Sequence, residues 1–232
     1  MEQPPLADRV AAVSALDDPV RRALLGLVSR SDTPVSRDQA ARALGLTRRT
    51  AAFHLDRLAQ QGLLTVQFQR LTGRTGPGSG RPSKLYGRGA GEVAVTVPER
   101  RYELAGELLA AAVEVSASTG EPARDALMRL AGDAGRAIGA AASTFQAALE
   151  DTGYEPSPDG RGGILLTNCP FHRLARRHTD LVCHANLELL HGAAEAAGDQ
   201  QHTILLDPAA GRCCVRAIPA RHTRTSIDQP GP

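Results

Sequence analysis

The chain has 232 residues, 42% of them hydrophobic but only 3% aromatic, and no tryptophan. That length allows one large domain or two small ones, and no stretch approaches the roughly 20 consecutive apolar residues of a membrane span. The formal charge of +2 conceals an asymmetry, because residues 1–92 carry 14 Lys and Arg against 8 Asp and Glu, residues 93–150 carry 5 against 8, and residues 151–232 carry 8 against 9.

Positive charge confined to the first 92 residues is the electrostatic footprint of a nucleic-acid binder. The opening run MEQPPLADRV has neither a basic flank nor an apolar core, so a cytoplasmic chain is expected. Residues 1–17 read as an N-terminal arm with a helix carrying Val10, Val13 and Leu16. Asp18 followed by Pro19 predicts a helix start, since Asp accepts from a free backbone N–H and Pro suits the first helical position. Val20, Leu24, Leu27 and Val28 give that helix a buried face. After the turn Ser31–Pro34, Ser36 caps a short helix that Gly45 ends.

Only Gly45-Leu46 separates that helix from TRRTAAFHLDRLAQQG, residues 47–62. Thr47 is placed to cap this second helix and Gly62 to close it in a left-handed conformation. Ala51, Leu55 and Leu58 share one face, which leaves Thr47, Arg48, Arg49, Thr50, His54 and Arg57 outward for phosphates and base edges. Two short helices joined this tightly, the second basic at its start, make a helix-turn-helix. Leu63 to Gln69 then alternates like a strand with one buried face, and Lys84-Leu85-Tyr86 starts a returning strand. The intervening loop, Leu71 to Gly80, is Gly-rich and basic. A hairpin there is a wing, from which Arg70, Arg74, Arg81 and Lys84 would reach phosphates or the minor groove. Gly76, Gly78 and Gly80 are not a phosphate loop, because no Gly-Lys-Ser/Thr follows and no helix opens there.

DDPVRRALLGLV, AAFHLDRLAQQGLL and GPGSGRPSKLY together resemble the winged-helix domain of ArsR-like bacterial repressors. The Gly-Arg-Pro-Ser-Lys-Leu-Tyr run at 80–86 most resembles the SufR-like branch, the repressors of iron–sulfur assembly operons. The resemblance covers about residues 16–90 and implies transcriptional regulation by a homodimer bound to double-stranded DNA at a palindromic operator.

From Pro98 the sequence turns helical, with Pro98 at a tolerated first position and Leu104, Leu108 and Val115 inward. A second helix is expected from Pro122 to Gly153. Within it Leu127, Ala131, Ala134, Ile138, Ala141, Phe145 and Ala148 keep a seven-residue period, the pattern of a helix lying along a partner. That partner is either a second copy or helix 98–116. Residues 153–219 read as a small α/β unit with strands at 164–166, 203–206 and 213–218, and residues 220–232 as a disordered tail.

All four cysteines fall in this last third. In one straight helix, Cys169 and Cys183 would stand about 21 Å apart at ~1.5 Å per residue. A break at Thr179 would let a short helix fold back and bring them together. Cys213 or Cys214 completes a three-thiolate set, and alternation along a strand aims those two at opposite faces. Such a set suits an iron–sulfur cluster, or zinc with His172 or His178 as fourth ligand. The SufR-like resemblance implies the cluster, since those proteins use three similarly spread cysteines. Buried structural cysteines, with no metal or cofactor, are the plain alternative. An enzyme with Cys169 or Cys183 as nucleophile, His172 or His178 as base and Asn186 as orienter would need a pocket and would leave the DNA-binding features unexplained.

The expected architecture is therefore α+β: a winged helix-turn-helix over 18–92, linker and dimerisation helices over 98–152, and a cysteine-bearing sensor domain over 153–219. The expected function is a non-enzymatic DNA-binding regulator, in the sense of a repressor, modulated by cluster or metal. The alternatives for its signal are a small organic effector and thiol oxidation.

Overall fold

Side chains that satisfy free backbone N–H groups set the helix starts of the N-terminal half. In a computed structural model that describes residues 4–70, 82–89 and 91–220, α1 spans Leu6–Ser14 and a 3₁₀ turn Ala15–Asp17. Helix α2, Pro19–Ser29, begins where Asp18 accepts from the Arg21 N–H at 3.0 Å. Strand β1, Val35–Ser36, leads into α3, Arg37–Leu44. There Ser36 Oγ accepts from Gln39 N at 3.2 Å while the Gln39 side chain accepts from Ser36 N at 2.8 Å, a reciprocal capping box. Gly45, at φ +64, ends α3 in a left-handed conformation that a β-carbon would disfavour.

Helix α4, Arg48–Gln60, starts with Thr47 Oγ1 accepting from Thr50 N at 3.1 Å. It ends in a Schellman motif: Gly62 has φ +73, Leu63 N donates to Leu58 O at 3.0 Å, and Gly62 N donates to Ala59 O at 3.1 Å. Ala51, Leu55 and Leu58 are fully buried against Leu24, Val28, Ala40 and Tyr86, as the helical spacing requires.

An antiparallel hairpin follows, β2 Leu64–Gln69 with β3 Ser83–Arg88, in a register running from Leu64 opposite Arg88 to Gln69 opposite Ser83. Strand β1 pairs on the other edge of β3, giving the order β1-β3-β2. The alternation of β2 predicts a buried face, yet only Leu64 is buried and Val66 and Phe68 are exposed. No described element of this unit covers that end of the hairpin. The expected N-terminal arm is attached instead: Arg9 is buried and donates to Pro4 O at 3.0 Å and Ala94 O at 3.1 Å. Residues 1–95 form one compact unit and residues 96–232 another.

In the second unit α5 is Tyr102–Thr119, α6 Ala123–Ala141, α7 Phe145–Asp151, β4 Pro156–Pro158, β5 Ile164–Leu166, α8 His172–Ala175, α9 Thr179–Ala196, β6 His202–Leu206 and β7 Val215–Pro219. The four strands make an antiparallel sheet in the order β4-β5-β7-β6. Helix α5 begins four residues after Pro98, because Arg100 N is bound by Thr96 Oγ1 and Arg101 N by Pro170 O. The helix expected over 122–153 is two helices. Ala142 leaves the helical region at ψ 152, and Thr144 caps α7 by accepting from Ala147 N at 3.1 Å.

The seam of α6 meets a third candidate, α9, and the contact is made by glycine more than by the seven-residue set. A β-carbon on Gly135 would lie 1.9 Å from Leu189 O, one on Gly139 2.2 Å from Ala193 O, and one on Gly192 2.2 Å from Gly132 O. The two backbones run almost in contact, which only glycine permits. Helix α5 packs on another side of α6 through Leu108, Ala112, Leu127 and Val115. The segments expected as linker and sensor share one core, in which Ala131, Phe145 and Leu149 meet Leu166, Ile204 and Val215.

Candidate nucleic-acid interface and cysteine site

Opposite its buried line, α4 presents Arg49, Phe53, Arg57 and Gln60, all exposed and spaced four, four and three residues apart. Of the outward set expected from the sequence, Arg48, Arg49 and Arg57 are exposed and Thr50 is half-buried. Arg48 pairs with Asp38 of α3 at 2.8 Å, with 70% of its side chain still exposed. A surface pair of that kind is worth little and exchanges readily for a phosphate. Thr47 is spent on the cap, its hydroxyl also lying 2.8 Å from that of Thr50. His54 departs from the expectation: it is half-buried, its enclosed Nδ1 has no hydrogen-bond partner among the described residues, and it lies within electrostatic reach of Asp18 at the head of α2. At 240° around the helix from Arg48, position 54 borders the buried stripe. Arg70 is exposed at the end of β2; Arg74 and Arg81 lie outside the described residues, as does the loop expected over 71–80.

Lys84 points inward to a cluster on α4. Its Nζ lies 2.5 Å from Asp56 Oδ1, which also accepts from the Tyr86 hydroxyl at 2.6 Å, while Arg37 donates to Asp56 Oδ2 at 2.9 Å and to the Tyr86 oxygen at 2.9 Å. Burial acts to raise the Asp56 carboxyl, but the hydrogen bonds from Lys84 and Tyr86 and the Arg37 charge outweigh it and hold the group below its ordinary value. Burial, reinforced by the hydrogen bond to Asp56, pushes the Tyr86 phenol up to about 12. Three elements are thereby fixed to one another: α3 through Arg37, α4 through Asp56 and the hairpin through Lys84 and Tyr86. Lys84 is thus a strut between helix and hairpin, which a phosphate contact would have to break.

The cysteines stand as two pairs. Cys183 on α9 and Cys214 are joined in a disulfide with Cα atoms 6.4 Å apart, and Cys169 lies within interaction distance of Cys213, both being buried free thiols. Cys213 and Cys214 lie in the turn before β7, and each meets a different cysteine. Between α8 and α9 the helix does break, with Thr179 donating to Ala175 O at the end of α8 and no side chain capping the start of α9. Cys169 and Cys183 each meet a different member of the adjacent Cys213-Cys214 pair. His172 and His178 are exposed, and among the described residues no group of three or more His, Cys, Asp or Glu is placed to hold a metal ion. With Cys183 and Cys214 joined, the side chains present thiol and disulfide chemistry.

Of the two thiols in this pair, Cys213 is the one shifted downward. The neighbouring Cys169 thiol and, at 3.4 Å, the Asn186 Nδ2 donor hold it below an ordinary thiol, while the proximity of Cys213, with burial, raises Cys169. Asn186 is itself oriented by the hydroxyl of the fully buried Tyr154. The sequence offers Asn186 as a catalytic orienter, and its amide lies against the Cys213 thiol.

Residues 16–67 match a family model described as a helix-turn-helix domain. A helix-turn-helix domain at these residues suggests a DNA-binding transcriptional regulator. No curated protein and no solved structure matches the chain. The run at 80–86 and the cysteines, on which the SufR-like resemblance rests, fall outside the matched span. Among the described residues no helix is long and apolar enough to cross a membrane.

Sequence reasoning passed over Phe53 and the Asp56 cluster. Phe53 interrupts a basic, hydroxylic helix face with an apolar side chain, and that interruption was a visible signal. The cluster left none, since Arg37, Asp56 and Lys84 lie 19 and 28 residues apart on three elements.

Proposed function

We propose that the chain is a transcriptional regulator that places α4 in the major groove of duplex DNA, two copies acting on a palindromic operator with the hairpin as a wing. The observation that carries this reading is the line Arg49–Phe53–Arg57–Gln60, held outward by a rigid helix-turn-helix in the one part of the chain with excess positive charge. A helix ~10–12 Å across fits a major groove of about 12 Å. Two copies would read half-sites roughly 34 Å apart. In a selection from a random-sequence duplex library, the full chain should enrich an inverted repeat and bind it as two copies per duplex. Enrichment of an unrepeated sequence at one copy per duplex would remove the dimeric reading, and absence of enrichment would remove the regulator.

The cysteine site sets operator occupancy through the thiol–disulfide state of Cys183–Cys214 and of Cys169–Cys213. A second reading, the iron–sulfur cluster, draws on the adjacency of Cys213 and Cys214: with Cys183–Cys214 reduced, four thiols lie at one end of β7. Iron and sulfide in anaerobically purified protein decide between the two. Both present in stoichiometric amount, with visible absorbance, would favour the cluster; neither present leaves the thiol pairs as the sensor.

A further inference from the structure

We infer that Phe53 is the residue by which α4 recognises thymine, through apolar contact with the 5-methyl group in the major groove. This rests on the DNA-binding reading proposed above and adds a base preference to it.

The chain contains four phenylalanines. Phe145 and Phe171 lie in the core of the C-terminal unit, where a large apolar ring belongs. Phe53 is 66% exposed on a helix whose inward face is already filled by Ala51, Leu55 and Leu58. At 100° per residue it stands almost diametrically opposite that buried line. Its ring meets only the edge of the neighbouring His54 ring, at 5.2 Å between centroids and 77° between planes, among the described aromatic contacts.

Position and charge choose the occupant. Arg49 and Arg57 lie one turn to either side of Phe53 on the same line, both exposed, so whatever covers the ring must also be anionic. Duplex DNA offers phosphates at the walls of its major groove and, at the floor, one apolar feature, the thymine methyl. A phenyl ring has no donor or acceptor with which to read any other mark on a base edge. Phe53 is the sixth residue of α4, in the N-terminal half that a helix-turn-helix presents to base edges. The arginines, long and cationic, reach phosphates or guanine from the same line.

The test uses the duplex that the full chain enriches from a random library, remade with each thymine in turn replaced by deoxyuridine. That change deletes the methyl group and leaves base pairing intact. Loss of one buried methyl corresponds to about a fourfold fall in affinity. At one or two positions per half-site the unaltered chain should show this fall. Phe53→Ala should lose it, deoxyuridine and thymine then binding within twofold of each other, and Phe53→Leu should retain it. Because Phe53 is exposed, both variants should fold, which circular dichroism checks. The same deoxyuridine pattern in Phe53→Ala and the unaltered chain would overturn the inference. So would a change of oligomeric state by light scattering with that pattern intact, which would place Phe53 between protein copies. If no sequence is enriched, the DNA-binding reading itself falls; an enriched sequence that tolerates every deoxyuridine removes only the role of Phe53.

Discussion

Asp56 on α4 accepts a hydrogen bond from the hydroxyl of Tyr86 on β3, at 2.6 Å, and so ties the groove-facing helix to the hairpin beside it. The carboxylate is about one-third exposed and also holds Lys84 and Arg37. Asp56→Asn keeps the shape and removes the charge, which should destabilise the chain by about 1 kcal/mol after allowance for solvent screening. The folded-state value of Asp56 is depressed, so its contribution is fully present above the ordinary carboxylate range and is lost as pH falls through the folded value. Urea denaturation of the full chain between pH 3 and 7 should therefore show a smaller acid loss in Asp56→Asn than in the unaltered chain. An identical pH profile for the two would remove the cluster as a source of stability.

Arg49 and Arg57 are exposed on the same line of α4, and phosphate contacts by both would release two condensed counterions. The double variant Arg49→Ala/Arg57→Ala should lower the slope of log affinity against log salt by about 1.8 per protomer, at ~0.9 per neutralised phosphate. Lys84→Ala should scarcely alter that slope, since Lys84 is committed to Asp56. Binding isotherms at four or five salt concentrations measure both, and a large slope change for Lys84→Ala would restore it to the phosphate contacts.

The helix-turn-helix was legible because its determinants are local. Asp18, Ser36, Thr47, Gly45 and Gly62 act on backbone within a few residues, and Ala51, Leu55 and Leu58 repeat at the helical period. The packing of α6 was not, because a period of seven names a face without naming its partner. Gly132, Gly135 and Gly139, at three- and four-residue spacing, were the better guide to a close backbone approach. The cysteine pairs were illegible for a different reason. Which of Cys213 and Cys214 faces which partner depends on the turn before β7 and on where α9 sits, both set by long-range contacts.

Gly135 gives a sharp measure of that α6–α9 contact. On helix propensity alone Gly→Ala stabilises an interior position by about 1 kcal/mol. At Gly135 the added methyl would meet Leu189 O at 1.9 Å, and backbone cannot swing aside as a flexible side chain can. Overpacking of that kind costs about 3 kcal/mol and wins. Gly106 in α5, with nothing within 4 Å of its would-be β-carbon, is the control. Gly135→Ala should lower the denaturation midpoint and Gly106→Ala should raise it. Equal shifts in one direction would mean that α6 and α9 stand further apart than described.

The disulfide offers a test of which cysteines belong together. Cys183 and Cys214 are 31 residues apart, a loop whose closure restricts the unfolded chain by about 3–4 kcal/mol in chain-entropy terms. Oxidised protein should therefore resist urea more than reduced protein by an amount of that order. Cys183→Ser and Cys214→Ser should each abolish the difference, and Cys169→Ser should preserve it, because Cys169 faces Cys213. Loss of the difference in Cys169→Ser, with Cys214→Ser unaffected, would mean that Cys169 and Cys183 pair with each other, the fold-back that the spacing first predicted. In that case reduction of the bond would free Cys169 and Cys183 beside Cys213, the three-thiolate set expected from the sequence.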